Sequence, residues 1–452
     1  MEIIHSPFYQ RLRWIKQLGF SSYVFPGAEH SRFGHSIGVM NNSDLILQSC
    51  GRTVDYEELC DPKNTTKEKI YHQSLRLGAL MHDLGTFAFS HTTEAAYIKF
   101  GETTNTKGGK GLQDDHENLG SYIIKNTDYK GGITHILKKY GLDPQSVSDL
   151  VKGVDPSILA NQILHSEVDC DRMDYLLRDA HYTGLKYGSY DRDYLLYHFA
   201  VKKVDQHDIL TINYNALRCV EDFLMSRFAW YSQVIRSPRG AKYDAIAEHL
   251  CFHFLEKGLI YRYSDLLDMI SNDPVQFYQF NDNYFISLVH KYFTDGTLDK
   301  YPRIKDMASC LLFEEGAKVV RCEELLPRLL SQGDNKSEKI FKKAETKVEE
   351  IQKFLNENGG DGDWLISDLP KKQVRIVSSK STIIKKQTRS NVLLERDPVK
   401  ISFDNGDIKL LADVEHSIIG RLEETNNFLP NVFVSHSAYH LLINKGLIEG
   451  ET

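Results

Sequence analysis

The sequence lacks the usual features of a secreted, membrane-spanning or nucleic-acid-coating protein. Its seven cysteines, at positions 50, 60, 170, 219, 251, 310 and 322, contain no Cys-x-x-Cys pair, which argues against a disulfide framework or a zinc finger. No segment approaches about 20 uncharged apolar residues, and the N-terminus has no basic segment followed by an apolar one. The net charge of −7 gives no global basic signal. We therefore expect a cytoplasmic protein without membrane contact, and nucleic acid is not indicated as a partner.

The chain is long enough, at 452 residues, to bury a substantial core, and its hydrophobic periodicity is mostly helical. The pattern predicts helices over 8–18, 31–50, 68–84, 116–126, 157–180, 213–235 and 240–256, with Gly85 as a left-handed C-cap. A charged segment, 331–363, precedes strand-like alternation at 373–377 and 399–403. We predict a mainly α fold, with a catalytic core at 1–260 and a helical and mixed α/β region for regulation or oligomerisation at 261–452.

Metal-ligating side chains occur in three short segments, which contain His35, the pair His82-Asp83, and Asp171. Two neutral imidazoles and two carboxylates suit a divalent transition metal or Mg²⁺, with positions left open for water and substrate. We predict one divalent metal ion per active site, with Mn²⁺, Fe²⁺ and Mg²⁺ as the first candidates. The alternative is a degenerate site in which the same residues only pack.

A His-Asp pair also occurs by chance in a chain with 18 histidines, and His207-Asp208 is a second copy. Context separates the two copies. Leu75 and Ala79 precede His82 at the spacing of one buried helix face, whereas His207-Asp208 lies in a polar segment. We therefore assign the metal site to His82-Asp83.

Phosphoester cleavage needs an acid for the departing oxygen, and histidine has the unperturbed pKa closest to neutrality. His91 lies nine residues beyond His82, and Glu94 follows three residues later, where it can orient the ring or couple to its charge. We predict His91 as the acid and Glu94 as its partner.

Two further spacings point toward the metal site. Arg32 lies one helical turn before His35, so its guanidinium is expected on the metal's side, where it can pair with phosphate oxygens. Asp171, Tyr175 and Asp179 repeat at i, i+4 and i+8, which places a ligand, an aromatic ring and a carboxylate on one helix face.

Three long segments carry a family resemblance: QRLRWIKQLGFSSYVFPGAEHSRFGHSIGVM from Gln10, LGALMHDLGTFAFSH from Leu77, and DCDRMDYLLRDAHYTG from Asp169. Together they resemble the HD-domain deoxynucleoside triphosphate triphosphohydrolases, the group of the bacterial dGTPases and the mammalian sterile-alpha-motif HD protein. The resemblance covers roughly residues 8 to 250. It implies an HD-domain helical core with a smaller α+β C-terminal lobe. It also implies hydrolysis of a dNTP at the α-phosphorus to deoxynucleoside and inorganic triphosphate.

The resemblance also implies roles for residues at the sugar. Tyr175 is expected near the sugar C2′, Asp179 and Gln17 at the 3′-hydroxyl, and Leu18 where it would crowd a ribose 2′-hydroxyl. Deoxyribose would then be selected mainly by exclusion.

At the phosphates, the resemblance places His116 as a second histidine, although an exposed histidine in an acidic turn is the ordinary alternative. Arg172 and Arg227 fall where the family has phosphate-binding cations, and Tyr231 ends the same segment as a further substrate-binding residue. An ordinary surface arginine is the alternative for Arg227. After His82-Asp83, many family members have His or Asn where this chain has Thr86, which can donate a hydrogen bond but carries no charge.

Two competing functions stay open. One is a phosphoesterase with the same metal site and another substrate: a nucleoside monophosphate, a cyclic dinucleotide or a nucleic-acid end. The other is a nucleotide-sensing, partner-regulated module in phage defence. Family members are commonly homo-oligomers, here expected between dimer and hexamer, and are regulated by nucleotides. The basic segment 371–386, with Arg375, could bind a nucleotide effector, although a solvated basic face is the more ordinary interpretation.

Overall fold

The computed structural model describes residues 1–51, 66–104, 114–331, 335–369, 392–422 and 425–450. These residues form a mainly helical protein with three small sheets, so the predicted mainly α class is confirmed. The predicted effector segment 371–386 and the predicted strand 373–377 lie outside the described residues. Within the described part of the chain, no helix is both long and apolar enough to cross a membrane.

The α-helices account for most of the described residues. They are α1 Glu2–His5, α2 Pro7–Gln10, α3 Arg32–Ser49, α4 Lys67–Met81, α5 His91–Thr104, α6 His116–Asn126, α7 Ile133–Lys139, α8 Pro144–Val151, α9 Ile158–His165, α10 Cys170–Thr183, α11 Arg192–Tyr197, α12 Leu217–Trp230, α13 Pro238–Lys257, α14 Tyr263–Asn272, α15 Pro274–Gln279, α16 Asp282–Thr294, α17 Pro302–Phe313, α18 Asn335–Asn358, α19 Ile418–Leu422 and α20 His436–Lys445.

The strands form three sheets. They are β1 Phe199–Val204, β2 His207–Asn213, β3 Lys318–Val319, β4 Arg328–Ser331, β5 Leu365–Asp368, β6 Lys400–Ser402, β7 Ile408–Leu410, β8 Thr425–Phe428 and β9 Asn431–Val434. The sheet orders are β1-β2-β6-β7, β3-β9-β5 and β4-β8. All pairs are antiparallel except β2 with β6, where Ile212 lies opposite Ile401. Strand β6 thus attaches the C-terminal region to the β1-β2 hairpin that follows α10 and α11.

The predicted helix over 8–18 is wrong. Helix α2 ends at Gln10, a 3₁₀ turn covers Arg11–Trp14, and Ile15 is extended. The cause is the fully buried Arg11 guanidinium, which donates to three carbonyl oxygens, those of Leu84, Thr86 and Phe280, at 3.1, 2.7 and 2.7 Å. The extended chain then pairs with the residues just before α3.

The predicted left-handed cap at Gly85 is also wrong, because α4 ends at Met81 and Gly85 lacks a positive φ. Gly85 instead allows a close approach between two segments. A Cβ at this position would lie 2.2 Å from the His116 carbonyl oxygen and 2.3 Å from the Gly120 nitrogen. The glycine therefore lets the first turn of α6 rest directly on the turn that follows His82-Asp83.

Gly85→Ala is expected to force α6 away from this turn and to reduce the free energy of unfolding by about 1–3 kcal/mol. Chemical denaturation measures the effect. Gly362→Ala is the matched control, since a Cβ at Gly362 would meet nothing within 4 Å and its φ is not positive. Equal stability of the two variants would contradict the close approach.

The core consists of three main clusters of buried side chains, and the first joins residues on both sides of position 260. The rings of Phe87 and Phe280 lie 6.0 Å apart, and the Tyr97 hydroxyl donates to the carbonyl oxygen of Tyr261 at 2.5 Å. The proposed division at residue 260 stays a prediction, and the segment after it packs directly on the predicted catalytic core.

The predicted helix over 157–180 is interrupted at 166–169, where α9 ends and α10 begins. A contact with the C-terminal region occupies the break. The Glu167 amide donates to the Asp397 carbonyl oxygen at 3.1 Å, and the Gln162 side chain donates to the Glu395 carbonyl oxygen at 3.0 Å. Local sequence could not show a break that depends on residues more than two hundred positions away.

Candidate metal and phosphohydrolase site

Helix N-termini place two of the candidate residues. The Asp115 carboxylate accepts from the Asn118 amide at 2.8 Å and starts α6 at His116. The Asp169 carboxylate accepts from the Arg172 amide at 2.8 Å and starts α10, which carries Asp171 in its first turn. Aspartate is a preferred N-cap because its oxygens satisfy amides that have no helical partner.

The four predicted metal ligands converge on one point between α3, α4 and α10. The Nε2 atom of His35 lies 3.1 Å from an Asp171 oxygen and 3.6 Å from an Asp83 oxygen. The Nε2 atom of His82 lies 3.8 and 3.4 Å from the same two oxygens. Residues separated by more than one hundred positions thus offer two nitrogens and two carboxylate oxygens to one small volume.

The hydrogen bonds of the two imidazoles fit a bound cation. His35 Nδ1 bonds to an Asp174 oxygen at 2.8 Å, and His82 Nδ1 bonds to the Ala79 carbonyl oxygen at 2.8 Å. Each Nδ1 is therefore a protonated donor, so Nε2 is the ring atom that a metal would bind, displacing any proton held there. Both Nε2 atoms are buried and have no hydrogen-bond partner among the described residues. The donor set suits a divalent cation, and its identity is not fixed by these ligand types.

The charges in the site are strongly coupled. Burial would lower the pKa of His35, but the carboxylates of Asp171 and Asp174 outweigh it and raise the pKa to about 10. Burial would raise the pKa of Asp83, yet Arg32 and the neighbouring imidazoles hold it well below its usual range. Burial would also raise the pKa of Asp171, but the hydrogen bond and charge of His35 lower it, so two anionic carboxylates face the centre at neutral pH, as a cation requires.

Asp174 orients the first histidine from outside the ligand set. Its Oδ2 accepts from His35 Nδ1 and from Arg178 Nε at 2.8 and 2.7 Å. Sequence reasoning missed Asp174, although its position three residues after Asp171 places it on the same side of α10.

Asp174→Asn is expected to weaken metal affinity by about 10- to 100-fold, because it removes the charge that fixes the His35 ring. Isothermal titration of the metal-stripped protein with Mn²⁺ measures this. Asp44→Asn is the matched control, since Asp44 lies between His72 and Arg76 in a similar arrangement without a metal ligand. Unchanged affinity in Asp174→Asn would remove this role.

A second cluster joins His91, Glu94 and His116. One Glu94 oxygen bonds to His91 Nδ1 at 2.7 Å, and the other accepts from the His116 ring and amide at 2.6 and 2.7 Å. The His91 side chain is 68% exposed, whereas that of His116 is mostly buried. The three residues also have the spacing of a metal site. Both Glu94 oxygens hold imidazole Nδ1 atoms, which leaves the Nε2 side of His91 for proton transfer.

Glu94 fixes the charge of His116. Burial would lower the pKa of His116, but Glu94 raises it to about 9, and the two histidines lower the pKa of Glu94 despite its burial. The folded pKa of His116 exceeds the ordinary value of about 6.5, so this pair stabilises the fold below pH 6.5. Its contribution is lost as the pH rises through about 9.

NMR titration is expected to show this raised pKa for His116 and a fall toward the ordinary value in Glu94→Gln. His135→Ala is the control: it removes the signal of one exposed histidine and should leave the His116 titration unchanged. An ordinary His116 pKa in the unsubstituted protein would contradict the ion pair.

The turn before His91 contains two consecutive non-glycine residues in the left-handed region, Phe89 with φ 53° and Ser90 with φ 57°. This conformation is unfavourable by about 1–2 kcal/mol per residue and persists only where the surroundings hold it. The Ser90 hydroxyl accepts from Arg32 Nε at 3.0 Å and donates to the Lys16 carbonyl oxygen at 2.8 Å. Arg32 also donates to Asp83 at 2.6 Å, so its side chain joins this turn to a predicted metal ligand.

Two of the predicted sugar-binding residues, Asp179 and Gln17, contact His30, which sequence reasoning missed because no spacing points to it. His30 Nε2 lies 2.8 Å from Asp179 Oδ1, and the His30 carbonyl oxygen accepts from the backbone N–H of Gln17 at 2.9 Å. Asp179 Oδ2 and Gln17 Oε1 are buried and have no hydrogen-bond partner in the described part of the chain. Leu18, the next residue, is buried. His30 therefore connects the two residues that carry these unpartnered acceptors.

Two of the predicted phosphate residues, Arg172 and Arg227, lie in α10 and α12. Arg172 pairs with buried Asp169 and donates to the Ser166 carbonyl oxygen at 2.8 Å. Burial and the charge of Arg172 lower the pKa of Arg227.

The ring of Tyr175 lies 4.9 Å from that of Trp230. The next residue along the chain, Tyr231, lines a cleft of about 860 Å³ together with His91. Thr86 is buried and donates to the Asp83 carbonyl oxygen at 2.7 Å, so its hydroxyl serves its own turn.

Comparison with known proteins agrees with this geometry. Residues 32–179 match the family described as the HD domain. This segment of the chain is therefore similar to an HD domain. It is 32% identical over 238 residues to uncharacterized protein YwfO of Bacillus subtilis, covering 52% of this chain and 48% of that protein.

Other relatives are named deoxynucleoside triphosphate triphosphohydrolases. SAMHD1 of Homo sapiens is 28% identical over 211 residues, covering 41% of this chain and 31% of that protein. The SAMHD1 homolog of Dictyostelium discoideum is 32% identical over 197 residues, covering 41% and 33%. The resemblance seen in the sequence is thereby confirmed. The chain spans about half the length of the Bacillus relative and about a third of the other two.

The fold around the HD domain also occurs in solved structures. A phosphohydrolase from Bacteroides thetaiotaomicron aligns with a TM-score of 0.60 at 18% identity, covering 96% of this chain and 94% of that one. A hypothetical protein from Aquifex aeolicus aligns with a TM-score of 0.63 at 23% identity, covering 98% and 93%. The likeness therefore includes the region that follows the HD domain.

Proposed function

We propose that this protein is a metal-dependent dNTP triphosphohydrolase that releases deoxynucleoside and inorganic triphosphate. The observation that carries the proposal is the pair of buried, unpartnered acceptors, Asp179 Oδ2 and Gln17 Oε1, on the helix and segment next to the metal ligands. Buried polar atoms normally have partners, so these two are suited to a hydroxyl donor such as a 3′-hydroxyl. Some relatives are named dNTP triphosphohydrolases, which supports a dNTP as the substrate that carries this 3′-hydroxyl.

A divalent cation held by His35, His82, Asp83 and Asp171 would lower the pKa of a water molecule and polarise a phosphoryl oxygen. Water attacks the α-phosphorus, and the bond from phosphorus to the 5′-oxygen breaks. His91 donates a proton to that leaving oxygen, while Glu94 holds the ring through Nδ1. His116 holds the opposite oxygen of Glu94 and contributes positive charge to the pocket.

Different residues recognise the triphosphate and the nucleoside of the substrate. Arg32, Arg172 and Arg227 offset the charge of the triphosphate, and each already lies beside carboxylates or other charged groups of the site. Tyr175 and Tyr231 contact the nucleotide, and Leu18 excludes a ribose 2′-hydroxyl. A homo-oligomer between dimer and hexamer and a nucleotide effector stay predictions of the sequence.

The test is ion-pair chromatography of the purified protein incubated with each dNTP singly and with all four together, in Mn²⁺ and in Mg²⁺. Deoxynucleoside plus triphosphate is the expected product pair, and activity only in the mixture would identify a nucleotide activator. Consumption of no dNTP under any of these conditions would overturn the proposal. Nucleoside monophosphates, cyclic dinucleotides and nucleic-acid ends would then be the next substrates to assay.

A further inference from the structure

Asp282, the first residue of α16, reaches back into the strained turn before His91. Its Oδ1 accepts from the Phe89 amide at 2.6 Å, and its Oδ2 accepts from the Lys16 amide at 2.8 Å. The carboxylate is buried, and one side chain therefore holds two backbone segments together. Asp282 lies more than one hundred residues beyond the HD domain and outside the predicted catalytic core.

Both segments lead directly to predicted site residues. Phe89 lies two positions before His91, and its left-handed backbone is one that its surroundings must hold in place. Lys16 immediately precedes Gln17 and Leu18, the residues assigned to the sugar. The Ser90 hydroxyl adds a second link by donating to the Lys16 carbonyl oxygen.

A second buried side chain fixes the position of Asp282 itself. Arg11 donates to the carbonyl oxygen of Phe280, two residues before Asp282, and to those of Leu84 and Thr86 in the turn after the metal ligands. The start of α16 is thus connected to both ends of the turn 84–90, through Arg11 at Leu84 and Thr86 and through Asp282 at Phe89.

We propose that Asp282 is a positioning residue that sets the distance between the proton donor His91 and the sugar-selecting segment Gln17-Leu18. The inference rests on the proposed function and adds a residue from outside the HD domain to it. Asp282 touches no substrate, so its effect passes through the two amides. An asparagine has only one acceptor oxygen, and its NH₂ group would face an N–H donor, so one of the two links is lost.

The test compares Asp282→Asn with the unsubstituted protein for hydrolysis of a dNTP and of the matching rNTP. Assays at pH 8 keep the native carboxylate ionised, since burial raises the pKa of Asp282 to about 7. We expect kcat for the dNTP to fall about tenfold, and the dNTP-to-rNTP ratio of kcat/KM to fall about fivefold, at unchanged metal content.

Asp363→Asn is the matched control. Asp363 is also a buried carboxylate that accepts from a backbone amide, that of Gly360, and from serine hydroxyls, here in the C-terminal lobe. It should leave both the turnover per folded molecule and the substrate ratio unchanged.

Three outcomes would overturn the inference. The first is an unchanged kcat and ratio in Asp282→Asn. The second is an equal loss for both substrates, which would remove the proposed effect on Gln17-Leu18. The third is failure of both Asp282→Asn and a second variant, Asp282→Ser, to fold, which would assign the carboxylate to the fold alone. If the unsubstituted protein cleaves no dNTP, the proposed function fails first and removes the basis of this inference.

Discussion

Asp171→Ala is expected to lose bound metal and at least about 10³-fold of turnover, equal to about 4 kcal/mol of transition-state stabilisation. Its oxygen lies within 4 Å of the Nε2 atoms of both His35 and His82, as does the Asp83 oxygen. Removal leaves Asp83 as the remaining carboxylate, and Asp83 is already engaged by Arg32. Metal content after dialysis, measured by mass spectrometry, and dNTP turnover report the two effects separately.

Asp208→Ala is the matched control for this experiment. It belongs to the second His-Asp pair of the chain, at the start of β2, where His207 is exposed and pairs opposite Val204. Metal content and turnover should both stay at the level of the unsubstituted protein. A metal-replete and active Asp171→Ala variant would contradict the ligand assignment.

Local pattern was sufficient for the helices that carry the ligands. The spacing before His82 indicated a buried helix face, and α4 has Leu75 and Ala79 buried as that pattern requires. The start of α6 at His116 also follows from a local signal, the Asp115 N-cap. In these cases the residues that determine the structure lie within one or two helical turns of each other.

Long-range contacts explain what local pattern missed. The residues around Gly85 suggest a helix cap. A glycine is instead needed there because the carbonyl oxygen of His116, thirty-one positions later, lies too close to leave room for a Cβ. The helix predicted through Leu18 breaks because the Arg11 side chain binds carbonyl oxygens from two distant segments. Asp282 is placed by the same kind of contact, and no motif around it indicates a role near His91.

His91→Ala is expected to retain metal and to lose about 10²- to 10⁴-fold of turnover, the usual contribution of a positioned acid. His91 is not among the four ligands, and its ring is held by Glu94 on one side and exposed on the other. The KM for the dNTP should change much less than kcat, because proton donation matters in the transition state rather than in binding. His135→Ala, at an exposed histidine near Asp128, is the control and should behave as the unsubstituted protein.

A different result would assign the role of proton donor to His116 instead of His91. His116 shares Glu94 with His91 and is the more buried of the two, so it is the alternative proton donor. If His91→Ala kept more than about a tenth of the turnover while His116→Ala lost it, the acid would be His116. Its pKa of about 9 would then leave the group protonated at neutral pH, and activity should fall as the pH rises through that value. With His91 as the acid, Glu94→Gln should instead reduce turnover by less than His91→Ala, because the imidazole remains and only its orientation is loosened.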